Sequence, residues 1–210
     1  MAKLMYIQTS PRKNRSKSNT VADAFVQAYK KNHPQDEIEK LDIFTEHLPT
    51  FDGLTIQAKY TILHGQKHSG QELAAWQTVE KIIEQFKSAD KYVLSVPMWN
   101  FGIPYRLKQY IDIIVQPGYT FGYDQNKGYF GLVTGKPVLG IYARGGEYGP
   151  GTGGEAYDLQ KKYIEQIFGF MGFTDIQSII VEPTLAGGPG TAEEKVKQAI
   201  AQAEKIAAKF

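Results

Sequence analysis

Three segments of this chain carry most of the residues whose types and spacing could do chemistry. The first runs from Ser10 to Asn19 and combines hydroxyl and basic side chains just before a stretch with helical spacing. Free backbone N–H groups and the positive end of a helix dipole favour a phosphate at such a place. The candidate phosphate-binding residues are Ser10, Ser16, Lys17 and Ser18. A serine cap on an ordinary surface turn would use the same residue types.

Two patterns that the first segment lacks narrow the choice of ligand. It has no GxxxxGK[ST], the pattern of a nucleoside triphosphate site, and no GxGxxG, the pattern of a dinucleotide pyrophosphate site. A single phosphate monoester remains as the group that the segment could hold. If the segment is a site, it therefore points to a mononucleotide such as FMN.

The second segment places large apolar side chains around one amide. It follows an apolar stretch and consists of Pro97, Met98, Trp99, Asn100 and Phe101. Aromatic rings can lie along a planar cofactor, while backbone and side-chain amides can hydrogen-bond the edge of a heterocycle. Packing in the core plus a turn would also explain the aromatic residues. An asparagine between two rings cannot be buried without a partner, however, and this favours a binding site.

The third segment is rich in glycine. It begins with Ala143, Arg144, Gly145 and Gly146, and glycines continue to Gly154. Glycine permits close approach of the backbone to a ligand, so these amides could contact the polar pyrimidine side of a flavin. A flexible surface loop would have a similar composition.

The surrounding pattern predicts how these segments are positioned. Apolar runs predict five strands, at Lys3–Thr9, Glu37–Ile43, Lys91–Val96, Pro137–Ala143 and Ile176–Val181. Helical spacing separates the strands, and this alternation is typical of a parallel sheet covered on both faces. We therefore expect one α/β domain over residues 1–210. Because ligands bind beyond the carboxyl ends of parallel strands, the three segments should meet at one edge of the sheet.

Several other stretches carry less specific patterns. The irregular stretch Phe44–Gly70 is expected to carry short helices or to cover a site. Tyr119–Val133 has the pattern of a small hairpin insertion. The last two helices are predicted from about Asp158 to Met171 and over Ala192–Lys209. Lys108 is expected to form an ion pair with Asp112 on the surface of a helix.

Composition and charge exclude several classes of function. The 210 residues include no cysteine, which excludes a disulfide scaffold, a Cys-ligated metal and a thiol nucleophile. His64 and His68 have helical spacing, but no nearby carboxylate completes a set, so we expect no metal. A net charge of +2 is too small to indicate a nucleic-acid or membrane-surface partner. The N-terminal apolar run is too short for a signal peptide, and a cytoplasmic protein is expected.

Taken together, the segments resemble the FMN-dependent azoreductase family, also described as FMN-dependent NADH:quinone oxidoreductases. The resemblance covers nearly the whole chain, and the segment Pro97–Phe101 is its most specific part. It rests on Ser10 with Ser16–Asn19, Pro97–Phe101, Leu107–Asp112, Leu132–Lys136 leading to Ala143–Gly146, and Phe170–Asp175. This chain departs from the family at Ala143, where a serine is common, and at Trp99, where tyrosine is frequent.

The resemblance implies a flavodoxin-like, doubly wound sheet of strand order 2-1-3-4-5, non-covalent FMN and a homodimer. It also implies that Ser10 and Ser16–Ser18 hold the phosphate. Met98–Phe101 would run along the isoalloxazine, and Ala143–Gly146 would meet its pyrimidine end.

The expected reaction follows from this resemblance. NADH or NADPH would reduce the flavin and leave, and a quinone or an aromatic azo compound would then enter the same slot, which predicts ping-pong kinetics. Tyr119, Phe121 and Tyr123 are candidates to contact that substrate across a dimer interface, although these rings could equally pack the hairpin. The alternative is a flavodoxin-type electron carrier acting on protein partners, which the charge of +2 and the hairpin insertion argue against.

Overall fold

A parallel sheet of five strands runs through the centre of the computed structural model, which describes residues 1–210. The strands in chain order are β1 (Lys3–Gln8), β2 (Glu37–Asp42), β3 (Lys91–Pro97), β4 (Phe121–Asp124), β5 (Gly128–Gly131), β6 (Val138–Ala143) and β7 (Ile176–Val181). The sheet has the order β2-β1-β3-β6-β7 with every neighbouring pair parallel, while β4 and β5 form a separate antiparallel hairpin. Counting the sheet strands alone, this is the expected order 2-1-3-4-5, so the predicted fold class is confirmed.

Helices cover both faces of the sheet. They are α1 (Lys17–Asn32), α2 (Gly53–Leu63), α3 (Gly70–Ser88), α4 (Tyr105–Ile114), α5 (Lys161–Met171) and α6 (Gly188–Ala207). Because side chains alternate along a strand, Leu4 and Tyr6 of β1 pack with α1 and α6, whereas Met5 and Ile7 belong to the core beneath α3, α4 and α5. Two buried apolar layers thus hold the strand ends in fixed positions.

Local sequence signals explain where the helices near the candidate site begin and end. Ser16 caps α1, and its side chain accepts a hydrogen bond from the backbone N–H of Asn19. Pro104 immediately precedes α4, where its lack of an N–H costs little. Gly172 ends α5 with φ of 110°, a left-handed conformation that glycine adopts without strain. These signals place the start of α1 directly after the loop that follows β1.

Two helix starts differ from the sequence prediction. The last helix begins at Gly188 rather than Ala192, because Pro189 fits the first turn of a helix although the flanking glycines suggested a loop. Helix α5 begins at Lys161 rather than near Asp158, whose side chain instead accepts a hydrogen bond from the backbone N–H of Lys161.

The two least regular stretches have the structures that the sequence predicted. The stretch 44–70 contains α2, and the predicted hairpin insertion is the β4–β5 pair, with Asp124 accepting hydrogen bonds in its turn. The predicted pair of Lys108 and Asp112 is present at 2.6 Å. None of the helices combines the length and the apolar character that crossing a bilayer would require.

Candidate functional site

The three segments singled out in the sequence meet at the carboxyl edge of the sheet. They surround a cavity of about 190 Å³, together with a fourth loop that follows β7. The lining residues are Ser10, Arg12, Ser16, Lys17, Pro97, Met98, Trp99, Ala143, Gly145, Thr184 and Leu185. The predicted candidates Asn100, Phe101, Arg144 and Gly146 belong to the same loops, and Ser18 to the first turn of α1, but none of them lines the cavity. Thr184 and Leu185 were missed, although their place after the fifth sheet strand was an available signal.

The end of the cavity beside α1 has the properties of an anion site. The hydroxyl of Ser10 is buried and makes no hydrogen bond within the chain. The hydroxyls of Ser16 and Ser18 lie 3.1 Å apart, and both residues are buried at the start of α1. Arg12 and Lys17 add positive charge to the cavity wall. Because a buried hydroxyl without a partner is unfavourable, the Ser10 hydroxyl fits a ligand oxygen such as that of a phosphate.

The second segment forms a tight turn that carries backbone strain. Trp99 and Gly102 exchange backbone hydrogen bonds of 3.0 and 2.9 Å, and the two residues between them have φ of 46° (Asn100) and 69° (Phe101). Positive φ at both central positions defines a type I′ turn. Asn100 lies exposed, so the expectation of an asparagine that had to be paired inside the protein was wrong. A phenylalanine held in the left-handed region is a strained arrangement of the kind that concentrates at functional sites.

This turn leaves hydrogen-bond donors free beside the cavity. The backbone N–H groups of Asn100 and Phe101 donate to no acceptor within the chain. The backbone N–H of Met98 donates to the carbonyl of Ala143 (2.9 Å), which joins the second segment to the third. The arrangement can present one indole face, that of Trp99, and two amide donors to a flat heterocyclic ligand.

The glycine-rich segment offers two further amide donors. The N–H groups of Gly145 and Gly146 donate to no acceptor within the chain, whereas the carbonyl of Gly145 accepts from Leu185 (3.0 Å) and Ala186 (2.9 Å). A Cβ on Gly145 would lie 3.0 Å from the side chain of Leu185, so the fourth loop packs closely on this backbone. Free amides held in this way can receive the polar edge of a ligand or stabilise negative charge on it.

The side chain of Arg144 does not line the cavity but is buried beneath the loop that does. Its guanidinium is fully buried and contacts Asp158 (2.8 Å), Glu182 (3.3 Å) and the amide oxygen of Gln160 (2.9 Å). Gln160 in turn donates to the carbonyl of Val96 in β3 (2.8 Å). Although glycines follow it in the sequence, the side chain of Arg144 does not face solvent. Its contribution to a ligand would come through the backbone that it fixes.

The predicted substrate residues lie away from this cavity within one copy of the chain. The Tyr119 hydroxyl donates to Glu80 (2.5 Å) and accepts from the Trp76 indole (3.2 Å). Its burial, and to a lesser extent its hydrogen bond to Glu80, raises the pKa of Tyr119. The Phe121 ring packs 4.7 Å from that of Phe170, and Tyr123 is exposed on the hairpin.

A larger, open cavity of about 690 Å³ lies on the other side of Trp99. Its lining includes Phe51 from the stretch 44–70, together with Asn100 and Tyr105. Trp99 also lines it, and the Phe44 ring lies 5.9 Å from the rings of both Trp99 and Tyr105. Trp99 therefore borders both cavities.

Comparison with known proteins agrees with this geometry. A family model described as a flavodoxin-like fold matches residues 2–207. The chain is 54% identical over 210 residues to an FMN-dependent NADH:quinone oxidoreductase of Nitratidesulfovibrio vulgaris, covering all of both chains. It is 51% identical over 185 residues to a protein of the same name from Desulfotalea psychrophila, covering 88% of this chain and 87% of the relative.

Solved structures show the same similarity. An azoreductase from Bacillus anthracis superposes with a TM-score of 0.91 at 31% identity, with all of both chains covered. An FMN-dependent NADH-azoreductase of that species in complex with FMN gives 0.90 at 29% identity, covering 100% of this chain and 99% of that one. The fold and the site together define a protein of the flavodoxin-like class. Within that class, the chain belongs to the family of FMN-dependent NADH:quinone oxidoreductases, as the sequence motifs indicated.

Proposed function

We propose that this protein is an FMN-dependent oxidoreductase that uses NADH or NADPH to reduce quinones and to cleave aromatic azo compounds reductively. The observation that carries the proposal is the buried, unpartnered hydroxyl of Ser10 in the loop between β1 and α1, in the same cavity as Trp99. Relatives named FMN-dependent NADH:quinone oxidoreductase, at up to 54% identity over the whole chain, support the cofactor and the reaction.

Different segments of this chain would hold the phosphate and the ring system of FMN. Ser10 and Ser16–Ser18 would hold the phosphate close to the N-terminal end of α1, where the helix dipole favours negative charge. Met98–Phe101 would contact the ring system, and the free backbone amides of Gly145 and Gly146 would offer hydrogen-bond donors to its polar edge. When bound, FMN supplies the two-electron chemistry that protein side chains lack. The same glycine amides would stabilise negative charge at that edge of the ring.

The electron donor and the acceptor use the same open space in turn. Phe51, Trp99 and Tyr105 in the lining of the larger cavity are suited to contact flat molecules. Occupancy by one molecule at a time gives ping-pong kinetics. The alternative, a flavodoxin-type electron carrier, would need a protein surface rather than a slot for small molecules.

A second copy of this chain completes the proposed active site. Helix α2 and its neighbour α3 expose large apolar side chains that water does not favour, namely Leu54, Ile56, Tyr60, Ile62, Leu63 and Leu73. In a homodimer these side chains become buried. Tyr119, Phe121 and Tyr123 then contribute to the acceptor slot across the interface. The absence of cysteine is compatible with the proposed cytoplasmic location.

The test is an anaerobic titration of the purified protein followed by visible absorption. We expect flavin bands that bleach on addition of NADH and recover when a quinone or an azo dye is added. A protein that stays colourless after incubation with FMN would refute the cofactor assignment. A yellow protein that NADH cannot bleach would refute the reductase and favour the electron carrier.

Initial rates at several fixed acceptor concentrations test the order of the steps. A shared slot predicts parallel lines in a double-reciprocal plot against NADH. Lines that intersect would show that donor and acceptor are bound together, which contradicts the shared slot while leaving the reductase itself intact.

A further inference from the structure

Asn19 is a buried residue in the first turn of α1 whose side chain makes contacts in three directions. Its Nδ2 donates to the carbonyl of Lys13 (3.1 Å) and, at the limit of a hydrogen bond, to the carbonyl of Ser10 (3.5 Å). Its Oδ1 accepts from the hydroxyl of Ser95 (2.8 Å). Asn19 has no exposed surface and does not line the cavity, so it acts on any ligand through other residues.

The two carbonyls that Asn19 contacts, those of Ser10 and Lys13, belong to the loop 10–16 before α1, which we call the phosphate loop. Lys13 has φ of 52°, a left-handed conformation that is unfavourable for lysine. Its carbonyl also accepts from the backbone N–H of Ser16 (3.1 Å), so two donors hold this strained turn in place. Asn19 therefore fixes the turn that separates the buried Ser10 hydroxyl from the Ser16 cap.

The third contact connects the phosphate loop to the strand that carries the ring-binding segment. Ser95 lies in β3, two residues before Pro97, and is fully buried. Its carbonyl accepts from both the N–H (3.3 Å) and the hydroxyl (2.7 Å) of Thr9, which directly follows β1. Asn19 and Ser95 thus form one buried polar unit between the two halves of the site.

We propose that Asn19 is a positioning residue that holds the loop 10–16 in the shape that accepts the phosphate of FMN, and that this makes the site select FMN over riboflavin. The inference rests on the proposed function, because it needs FMN to be the natural ligand. A residue that merely stabilised the fold would affect the two flavins equally, since they share the ring system and the ribityl chain.

The variant Asn19→Asp tests the proposal because it keeps the shape of the side chain and removes its donors. A carboxylate cannot donate to the carbonyls of Lys13 and Ser10. From the free energy that hydrogen bonds to a charged group contribute, we expect the Kd for FMN to rise about 10- to 100-fold. The Kd for riboflavin should stay within about twofold of the wild-type value.

A second variant, Ser95→Ala, changes no charge and separates positioning from repulsion between a carboxylate and the phosphate. It removes the donor to Asn19 Oδ1 and leaves the phosphate loop itself intact. We expect a smaller effect in the same direction, about 3- to 10-fold on FMN, with riboflavin again unchanged. This variant also provides the test if Asn19→Asp fails to fold.

Asn32→Asp is the matched control, with the same substitution at the far end of the same helix. The Asn32 amide is exposed and donates to the carbonyl of Ala28 (2.8 Å), so the variant should bind both flavins as the wild type does. Binding is measured by quenching of flavin fluorescence on titration with flavin-free protein, after thermal melts confirm folding.

The ratio of the two dissociation constants decides between the possible outcomes. A loss confined to FMN in Asn19→Asp and Ser95→Ala supports the proposal. If the wild type binds FMN, the proposal is overturned when the variants lose affinity equally for both flavins, or when neither variant loses affinity for FMN. A wild type that binds neither flavin would instead refute the proposed function.

Discussion

Replacing Arg144 with methionine removes the positive charge that two buried carboxylates share. The side chains of Arg144, Asp158 and Glu182 are 0%, 9% and 14% exposed, and the guanidinium lies 2.8 Å and 3.3 Å from the two acids. Methionine has a similar length but no N–H donor, so both carboxylates and the amide oxygen of Gln160 lose a partner. The free energy of unfolding should therefore fall steeply.

The size of this loss follows from the burial of the group. Removing one partner of a buried ion pair costs about 3–5 kcal/mol. Glu182 keeps some exposure and still accepts from the backbone N–H of Tyr148 (3.0 Å), so the lower half of that range applies. Since roughly 2–4 °C of Tm is lost per kcal/mol in a chain of this size, Tm should fall by about 6–16 °C. Urea unfolding followed by far-UV circular dichroism measures the free energy directly.

Two further variants isolate the role of charge. Adding Asp158→Asn and Glu182→Gln to Arg144→Met removes the unpaired charges and should recover part of the stability. Lys108→Met breaks the exposed pair with Asp112 and should cost no more than about 0.5 kcal/mol. If Arg144→Met lost less than about 1 kcal/mol, or if the triple variant were no more stable than the single one, the charge argument would be wrong.

Three other predictions follow from particular contacts. Ser10→Ala should weaken FMN binding about tenfold in a fluorescence titration and leave the Tm of the flavin-free protein unchanged or raised, because its hydroxyl has no partner there. The hydrogen bond from Tyr29 lowers the pKa of Asp36, whose carboxylate stabilises the fold above about pH 4 and loses that effect as pH falls. Asp36→Asn should therefore flatten the fall of Tm between about pH 5 and pH 3. Gly131→Ala would put a Cβ 2.2 Å from the backbone after α5 and should cost roughly 1–3 kcal/mol in urea unfolding, whereas Gly53→Ala, with open space around it, should be neutral.

The sequence was sufficient to predict the sheet and the loops that form the site. Apolar runs and helical spacing specify parallel strands, and the carboxyl ends of such strands must share an edge. Segments after the first, third and fourth sheet strands therefore had to meet, and Ser10, Met98 and Gly145 do line one cavity. This part of the prediction depended on periodicity and chain order, which a single sequence contains.

The direction of individual side chains could not be predicted in the same way. Arg144 turns inward because Asp158 and Glu182, which are 14 and 38 residues away along the chain, converge behind its strand. Thr184 and Leu185 have no residue type that marks a binding site, and they reach the cavity because of where β7 ends. Such contacts depend on the folded arrangement of distant segments, and no local pattern encodes them.

The alanine at position 143, where the resemblance led us to expect a serine, can be understood from the same geometry. Ala143 is the last residue of β6, pairs with Pro97 of β3, and uses its carbonyl to accept from the N–H of Met98 (2.9 Å). Its methyl group packs into the apolar layer with α1 and α6. The free donors at this end of the cavity are the amides of Gly145 and Gly146, whose positions depend on the buried Arg144 and on the loop after β7. Alanine is therefore compatible with the site, because the backbone rather than a side chain at position 143 presents the hydrogen bonds.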